Sequence, residues 1–228
     1  LGYLSESLGT AFGLIVQLDR EVLGAVRVSL STSLVATLVS TALGVPIGAA
    51  VGLGRFPGRR AVLTLLNTLM ALPTVVVGLL LFGLLSRQGP LGDFGLLFTP
   101  WAMIMGQTVL ATPIVANYTL SAVAGADPRI LPTALTLGAS RLRGVWQLLL
   151  EVRFGVMAAV VAGFGRVVAE VGVAMMLGGN IRGYTRTMTT AIALETSKGE
   201  FAFGLALGLL LLSVALVVNL FLNTMQQR

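Results

Sequence analysis

Cysteine and histidine are both missing from the 228 residues. Their absence excludes disulfides, thiolate chemistry, haem ligation by either residue and nearly every zinc site. It also removes Ser-His and Cys-His nucleophilic catalysis. No carboxylate cluster takes their place, so the chain offers no catalytic residue and no metal ligand set. Lysine is almost gone too: Lys198 is the only one, and it precedes Gly199 with no glycine-rich phosphate loop behind it. Without a Gly-x-x-x-x-Gly-Lys-Ser/Thr run, this chain is not a Walker-type ATPase. No basic segment leads into an apolar run at the start, so no cleavable signal peptide is expected.

Charge is scarce as well. Only 11% of residues are charged and 56% are hydrophobic, whereas a soluble domain carries about 25% charged residues. With a mean hydropathy of +0.94, this is an integral membrane protein by composition, and its long uncharged runs read as helical crossings, an all-α fold. The net charge of +6 is carried almost entirely by arginine. In such a chain a positive balance points to cytoplasmic loops beside anionic lipid. Aromatic and basic residues do not interleave, so nucleic acid is not an expected partner. No internal repeat or second composition regime divides the chain, and residues 1–228 read as one transmembrane domain.

Residues 4–18 put Leu4, Leu8, Phe12, Ile15 and Val16 on one helical face, closed by Asp19, Arg20 and Glu21. This pattern fits an amphipathic helix in the bilayer interface, with a short crossing as the alternative. Five crossings follow, at about 28–54, 61–86, 97–124, 154–177 and 201–223. Each is long enough for a hydrocarbon core of about 30 Å. Pro46 is expected to kink the first, and Pro73 lies inside the second. With the N-terminus outside, the cytoplasmic side holds Arg55, Arg59, Arg60, Arg129, Arg141, Arg143, Arg153 and Arg228. The other side holds Arg20, Arg87, Arg182, Arg186 and Lys198. That bias predicts N-out and C-in.

The longest polar interruption is the loop over 127–153. It contains Asp127, Arg129, Arg141, Arg143, Glu151 and Arg153, yet Leu131, Ala134, Leu135, Leu137 and Leu142 recur at three- and four-residue steps. A merely solvated loop would favour turn formers. A helical, arginine-bearing segment between crossings reads instead as a docking surface.

Within it, Thr133-Ala-Leu-Thr-Leu-Gly138-Ala-Ser140, followed by Leu148-Leu-Leu150, resembles the EAA loop of permease subunits of ATP-binding-cassette importers. Three positions depart from that pattern: Pro132 stands where Glu is usual, Thr133 where Ala is, and Glu151 where Pro is. Pro132 suits the first turn of a helix, and Gly138 tolerates the dihedrals of a sharp change in direction. The resemblance implies the type I importer permease fold. It also implies coupling helices that dock on a cytoplasmic ATPase through Pro132, Thr133, Ala134, Leu137, Gly138, Ala139, Ser140, Arg141 and Arg143. ATP and Mg would then sit on that partner, and no cofactor on this chain. A second copy would complete the route on a two-fold axis. An extracytoplasmic binding protein would deliver the substrate at a prokaryotic inner membrane.

The segments Gly165-Arg166-Val-Val-Ala-Glu170-Val-Gly172 and Gly178-Gly-Asn180-Ile-Arg182-Gly183-Tyr-Thr185-Arg186 resemble the narrower family of tungstate-transport permeases, with molybdate and sulfate permeases as relatives. Arg166 and Glu170, four residues apart, share a helix face. Unpaired charge is costly at membrane depth, so they either line or gate the pathway, or lock the fold as an ion pair. Asn180, Arg182, Thr185 and Arg186 supply donors suited to an oxyanion or to acidic residues of a docking protein. An ion-driven transporter or channel is the rival from another class, resting on Glu170 as the one carboxylate well inside a crossing.

Overall fold

The computed structural model describes residues 2–17 and 19–226. Leu18 and Arg228, both used above, lie outside the described residues, as do the side chains of Leu4, Ser5 and Asn223. The described chain is helical, with α1 (Gly2–Val16), α2 (Arg20–Leu53), α3 (Arg59–Met70), α4 (Thr74–Leu85) and α5 (Pro100–Ala124) in the first half. The second half holds α6 (Ile130–Thr136), α7 (Arg141–Glu151), α8 (Arg153–Val168), α9 (Gly172–Gly178), α10 (Met188–Lys198) and α11 (Phe201–Gln226).

The helix starts are written in local chemistry. The Asp19 carboxylate accepts from the amides of Glu21 (2.8 Å) and Val22 (3.1 Å), satisfying donors that an opening helix leaves free. Thr99 caps α5, and Pro100 occupies its first turn, where a missing N–H costs nothing. Thr187 and Thr190 form a reciprocal capping box at α10.

α5 is the central helix, packed by α2, α3, α4, α8 and α9. Its closest partner is α2, through Gly44, Gly48 and Gly52. A Cβ on Gly48 would stand 2.3 Å from the Ala116 carbonyl oxygen. In lipid, helices gain nothing from simply hiding apolar groups, so close packing of small residues drives association. Replacing Gly48 by leucine would separate the pair.

Several boundaries differ from the sequence expectation. The run 61–86 is two helices bent by 96°. Pro73 lacks an amide donor and disfavours a helical Leu72, which parts α3 from α4. The run 154–177 is divided as well, between α8 and α9. Pro46, by contrast, sits inside an unbroken α2, because a well-packed membrane helix tolerates proline. Among the described residues, α2 and the 201–220 part of α11 are alone long and apolar enough to cross a membrane, or up to four spans when bent pairs count as one. α5 has the length, with 25 residues, but its apolar side is spent on protein and its composition is correspondingly less oily.

α1 packs on α11. It buries Ser7 and Ala11 and leaves Leu8, Phe12 and Val16 exposed, an outward face suited to lipid. The 54–59 turn and the α6–α7 segment lie at one end of the bundle, here the basic end. Residues 86–99 and 179–187 lie at the far end.

Candidate functional site

At the basic end, the 127–153 segment is a hairpin rather than one helix. Gly138 adopts φ +87°, and its amide donates to the Leu135 carbonyl while that of Ala139 donates to Ala134 (both 3.0 Å). This left-handed ending is one that glycine adopts without strain. Ser140 then starts α7 by accepting from the Arg143 amide (3.4 Å). The two helices cross tightly at Gly144, where a Cβ would be 2.8 Å from Leu131 Cδ1. Leu148 is buried with Ala49 and Val123, anchoring the hairpin to α2 and α5.

The apolar repeat read from sequence is thus shared between two faces. Leu131 and Ala134 turn inward, whereas Leu137 and Leu142 are 83% and 82% exposed and Trp146 is 63% exposed. Pro132, Thr133, Arg141 and Arg143 are exposed around them, with Ala139 half-buried and Ser140 exposed in the turn. Contiguous exposed leucine and tryptophan on an anchored element mark an interaction surface. At the edge, Asp127 pairs with Arg129 at 2.7 Å. The Arg129 guanidinium, and then its amide, hold the Asp127 carboxyl below the usual carboxylate range, and Asp127 raises Arg129 in return.

Deeper in the bundle, Arg166 and Glu170 form an ion pair at 2.8 Å, with Glu170 nearly inaccessible and Arg166 retaining 35% of its side-chain exposure. Glu170 lies just past the end of α8. Its other carboxylate oxygen accepts from the Val173 amide at the start of α9 (3.2 Å), and its carbonyl accepts from Thr189 Oγ1 (2.7 Å). One residue therefore ties α8, α9 and α10 at a break in the helix. A Cβ on Gly172 would stand 2.7 Å from Thr74 Oγ1 and 3.3 Å from Glu170 Oε1, so the two helix breaks, at Pro73 and at Glu170, meet.

At the far end, Arg182 and Arg186 both pair with Glu21, the latter at 2.7 Å. Arg186 also lies 3.6 Å from Glu195, which Lys198 engages at 3.0 Å. Thr185 is fully buried; its hydroxyl donates to the Gly178 carbonyl (2.5 Å) and accepts from the Ile181 amide (3.0 Å). Asn180, at φ 52°, donates to the Thr190 carbonyl (3.4 Å). Its Oδ1 and Arg186 Nε are buried without a partner among the described residues. Arg182 alone of the four is mostly exposed, at 71% of its side chain.

Residues 44–228 match the family model for the binding-protein-dependent transport system inner membrane component. The chain belongs to this family. It is 43% identical over 219 residues to the tungstate uptake system permease protein of Campylobacter jejuni, covering 96% of this chain and 92% of that one. Identity to the molybdenum transport system permease protein of Escherichia coli is 31% over 173 residues, covering 72% and 74%. The fold is also similar to a chain in the crystal structure of a bacterial ABC transporter that imports the acidic polysaccharide alginate. That match has a TM-score of 0.75 at 20% identity and covers 100% of this chain and 90% of the other.

This permease carries the type I importer fold expected from its sequence. Its candidate residues fall into three groups that do not touch. The coupling candidates share one exposed hairpin, and Arg166 and Glu170 share one buried break. At the far end Arg182 and Arg186 line a small cleft with Arg20 and Glu21, while Asn180 and Thr185 brace the loop behind it through Thr190, Gly178 and Ile181. Sequence reading missed the partners. Glu21 lies more than 160 positions from Arg182 and Arg186, and no local pattern marks such a pair. Glu195 stood closer to view, three residues before Lys198, the spacing that juxtaposes side chains on a helix.

Proposed function

We propose that this permease is the membrane subunit of an ATP-driven tungstate importer. The observation that carries this reading is the identity to a tungstate permease over nearly the whole chain, well above that to the molybdenum permease. Two copies would form the route on a two-fold axis, each crossing the membrane as α2, α3–α4, α5, α8–α9 and α11, with N-terminus outside and C-terminus inside. The basic end would then face the cytoplasm.

In this reading the α6–α7 hairpin enters a groove on a separate ATPase, which holds the ATP and Mg. Leu137, Leu142 and Trp146 supply the contact, the arginines its rim, and the anchoring at Leu148 carries motion into α2 and α5. A hinge-like loop would absorb that motion; a capped, anchored hairpin transmits it. Arg166, a third exposed, meets the oxyanion in transit, since guanidinium matches tetrahedral anions. Glu170 positions it and keeps the broken span from closing into a straight helix. At the far end Arg182, paired with Glu21 on one side but with most of its side chain exposed, is the residue placed to meet an acidic face of the delivering binding protein, whereas Thr185 and Arg186 hold the loop that presents it.

Uptake by vesicles containing the permease, its ATPase and its binding protein tests the proposal. Tungstate should accumulate only with ATP and in preference to molybdate and sulfate. Preference for either of those anions would overturn the substrate, and accumulation driven by a proton gradient without ATP would overturn the mechanism.

A further inference from the structure

The two halves of the broken span at Pro73 present opposite surfaces. α4 exposes Val75, Val76, Leu79, Leu80 and Leu84, a face that lipid solvates well. α3 exposes Arg60, Thr64, Asn67 and Thr68, interrupted by Leu65. Beside it, the inner part of α5 exposes Tyr118 and Ser121 and half-exposes Asn117. A hydrogen bond from Asn117 Nδ2 to Asn67 Oδ1 (2.5 Å) joins the two stripes, and the same nitrogen stands 3.0 Å from Met70 Sδ.

In the crossing arrangement proposed above, these groups lie inside the bilayer. Asn117 precedes the end of α5 by seven residues, or about 10 Å at the helical rise. The amide nitrogen of Asn67 and the hydroxyl of Tyr118 have no partner among the described residues. Donors left facing hydrocarbon would each cost several kcal/mol, so a lipid neighbour is a poor match for this face while it suits α4. No carboxylate occurs on α3 or α5, and Arg55, Arg59 and Arg60 stand where the stripe reaches the basic end. Donors without acidic neighbours, leading to a basic mouth, suit an anion and repel none.

We infer that the Asn67–Asn117–Ser121 stripe is a wet wall of the translocation route. Water and then the permeating oxyanion occupy it, the Asn67 amide and the Tyr118 hydroxyl taking over part of the anion's hydration. The hydroxyls of Thr64, Thr68 and Ser121 donate to their own helix carbonyls and leave their oxygens to accept from water. The oxyanion part rests on the import function proposed above; the water-exposed wall does not.

The absence of native cysteine makes a direct test available, because each single-cysteine variant carries one thiol. In membrane vesicles holding the assembled transporter, Asn67→Cys, Ser121→Cys, Leu80→Cys and Pro57→Cys are treated with a charged, membrane-impermeant thiol reagent from the cytoplasmic side. Asn67→Cys and Ser121→Cys should react within about tenfold of the turn variant Pro57→Cys, and Leu80→Cys at least about tenfold more slowly than all three. Sodium tungstate should slow labelling of Asn67→Cys and leave Pro57→Cys unchanged. Ser121→Cys is nearly isosteric, so it reports on the stripe even where Asn67→Cys folds poorly. Labelling of both stripe positions as slow as Leu80→Cys overturns the wet wall. Fast labelling that tungstate leaves untouched, in a transporter that imports tungstate, overturns the oxyanion as its occupant. A transporter that imports no tungstate is a failure of the function proposed above, and the labelling rates still decide the wall.

Discussion

Two polar loops close opposite ends of this permease, and they use their side chains in opposite ways. The 179–187 loop spends its groups on its own fold: Thr185 on Gly178 and Ile181, Arg186 on Glu21 and Glu195. The 127–153 hairpin has an inner face just as firmly held, through Gly144 and Leu148. Its outer face instead leaves Leu137, Leu142 and Trp146 open. Both loops are arginine-rich and helix-flanked, so composition does not separate them. What separates them is whether each side chain already has a partner. A group with a partner supports the fold, and an exposed apolar group on a rigid support is available for binding.

Changes at the far end should therefore cost stability first. Arg186→Met removes a buried guanidinium and leaves Glu21 and Glu195 with fewer partners. Thermal unfolding in detergent should report a loss of about 2–3 kcal/mol, in the range for hydrogen bonds to charged groups. Thr185→Val keeps the volume but strands the Ile181 amide and the Gly178 carbonyl, for about 1–2 kcal/mol by the same measurement. Equal stability in both variants would erase the distinction between the loops.

Changes at the basic end should act on assembly instead. Gly138→Trp places a side chain on a left-handed backbone at a cost of about 1–2 kcal/mol. No heavy atom lies within 4 Å of a Cβ built on Gly138, so the added side chain starts into open space and its effect should be to block docking. Co-purification of the ATPase, or its stimulated hydrolysis, should be lost while the permease remains folded. The smallest effect is expected at Asp127. Because Arg129 depresses its carboxyl, the turn they form is supported at neutral pH and loosens only as pH falls through that lowered value. Protection of the Arg129 amide, which donates to Asp127 at 2.9 Å, would follow that titration by hydrogen exchange. A loss already at mildly acidic pH would contradict the pairing.

The contrast between the loops was only half legible in the chain. Gly138, the leucine spacing and the arginines placed the hairpin, because these signals are local. The Arg166–Glu170 pair was legible for the same reason, as a four-residue step. Glu21 was not, since its arginines lie across the whole fold in sequence. The helix breaks show a second limit. Pro46, Pro73 and Pro113 are the same residue, yet only Pro73 parts two helices; the packing of α2 on α5 keeps the other two in line. The break at Glu170 has no proline at all. Its stabilisation adds to the local contacts of the carboxylate with Arg166 and Val173 a bond from Thr189 to the Glu170 carbonyl, and that last contact appears only once α10 is brought against the break.

The most direct test is the double variant Leu137→Asp, Leu142→Asp, purified with the ATPase co-expressed. Both side chains are more than four-fifths exposed, and surface changes away from buried features stay within about 0.5 kcal/mol. The account predicts a permease with wild-type thermal unfolding that retains no ATPase. A complex that co-purifies intact and hydrolyses ATP at the stimulated rate would contradict it.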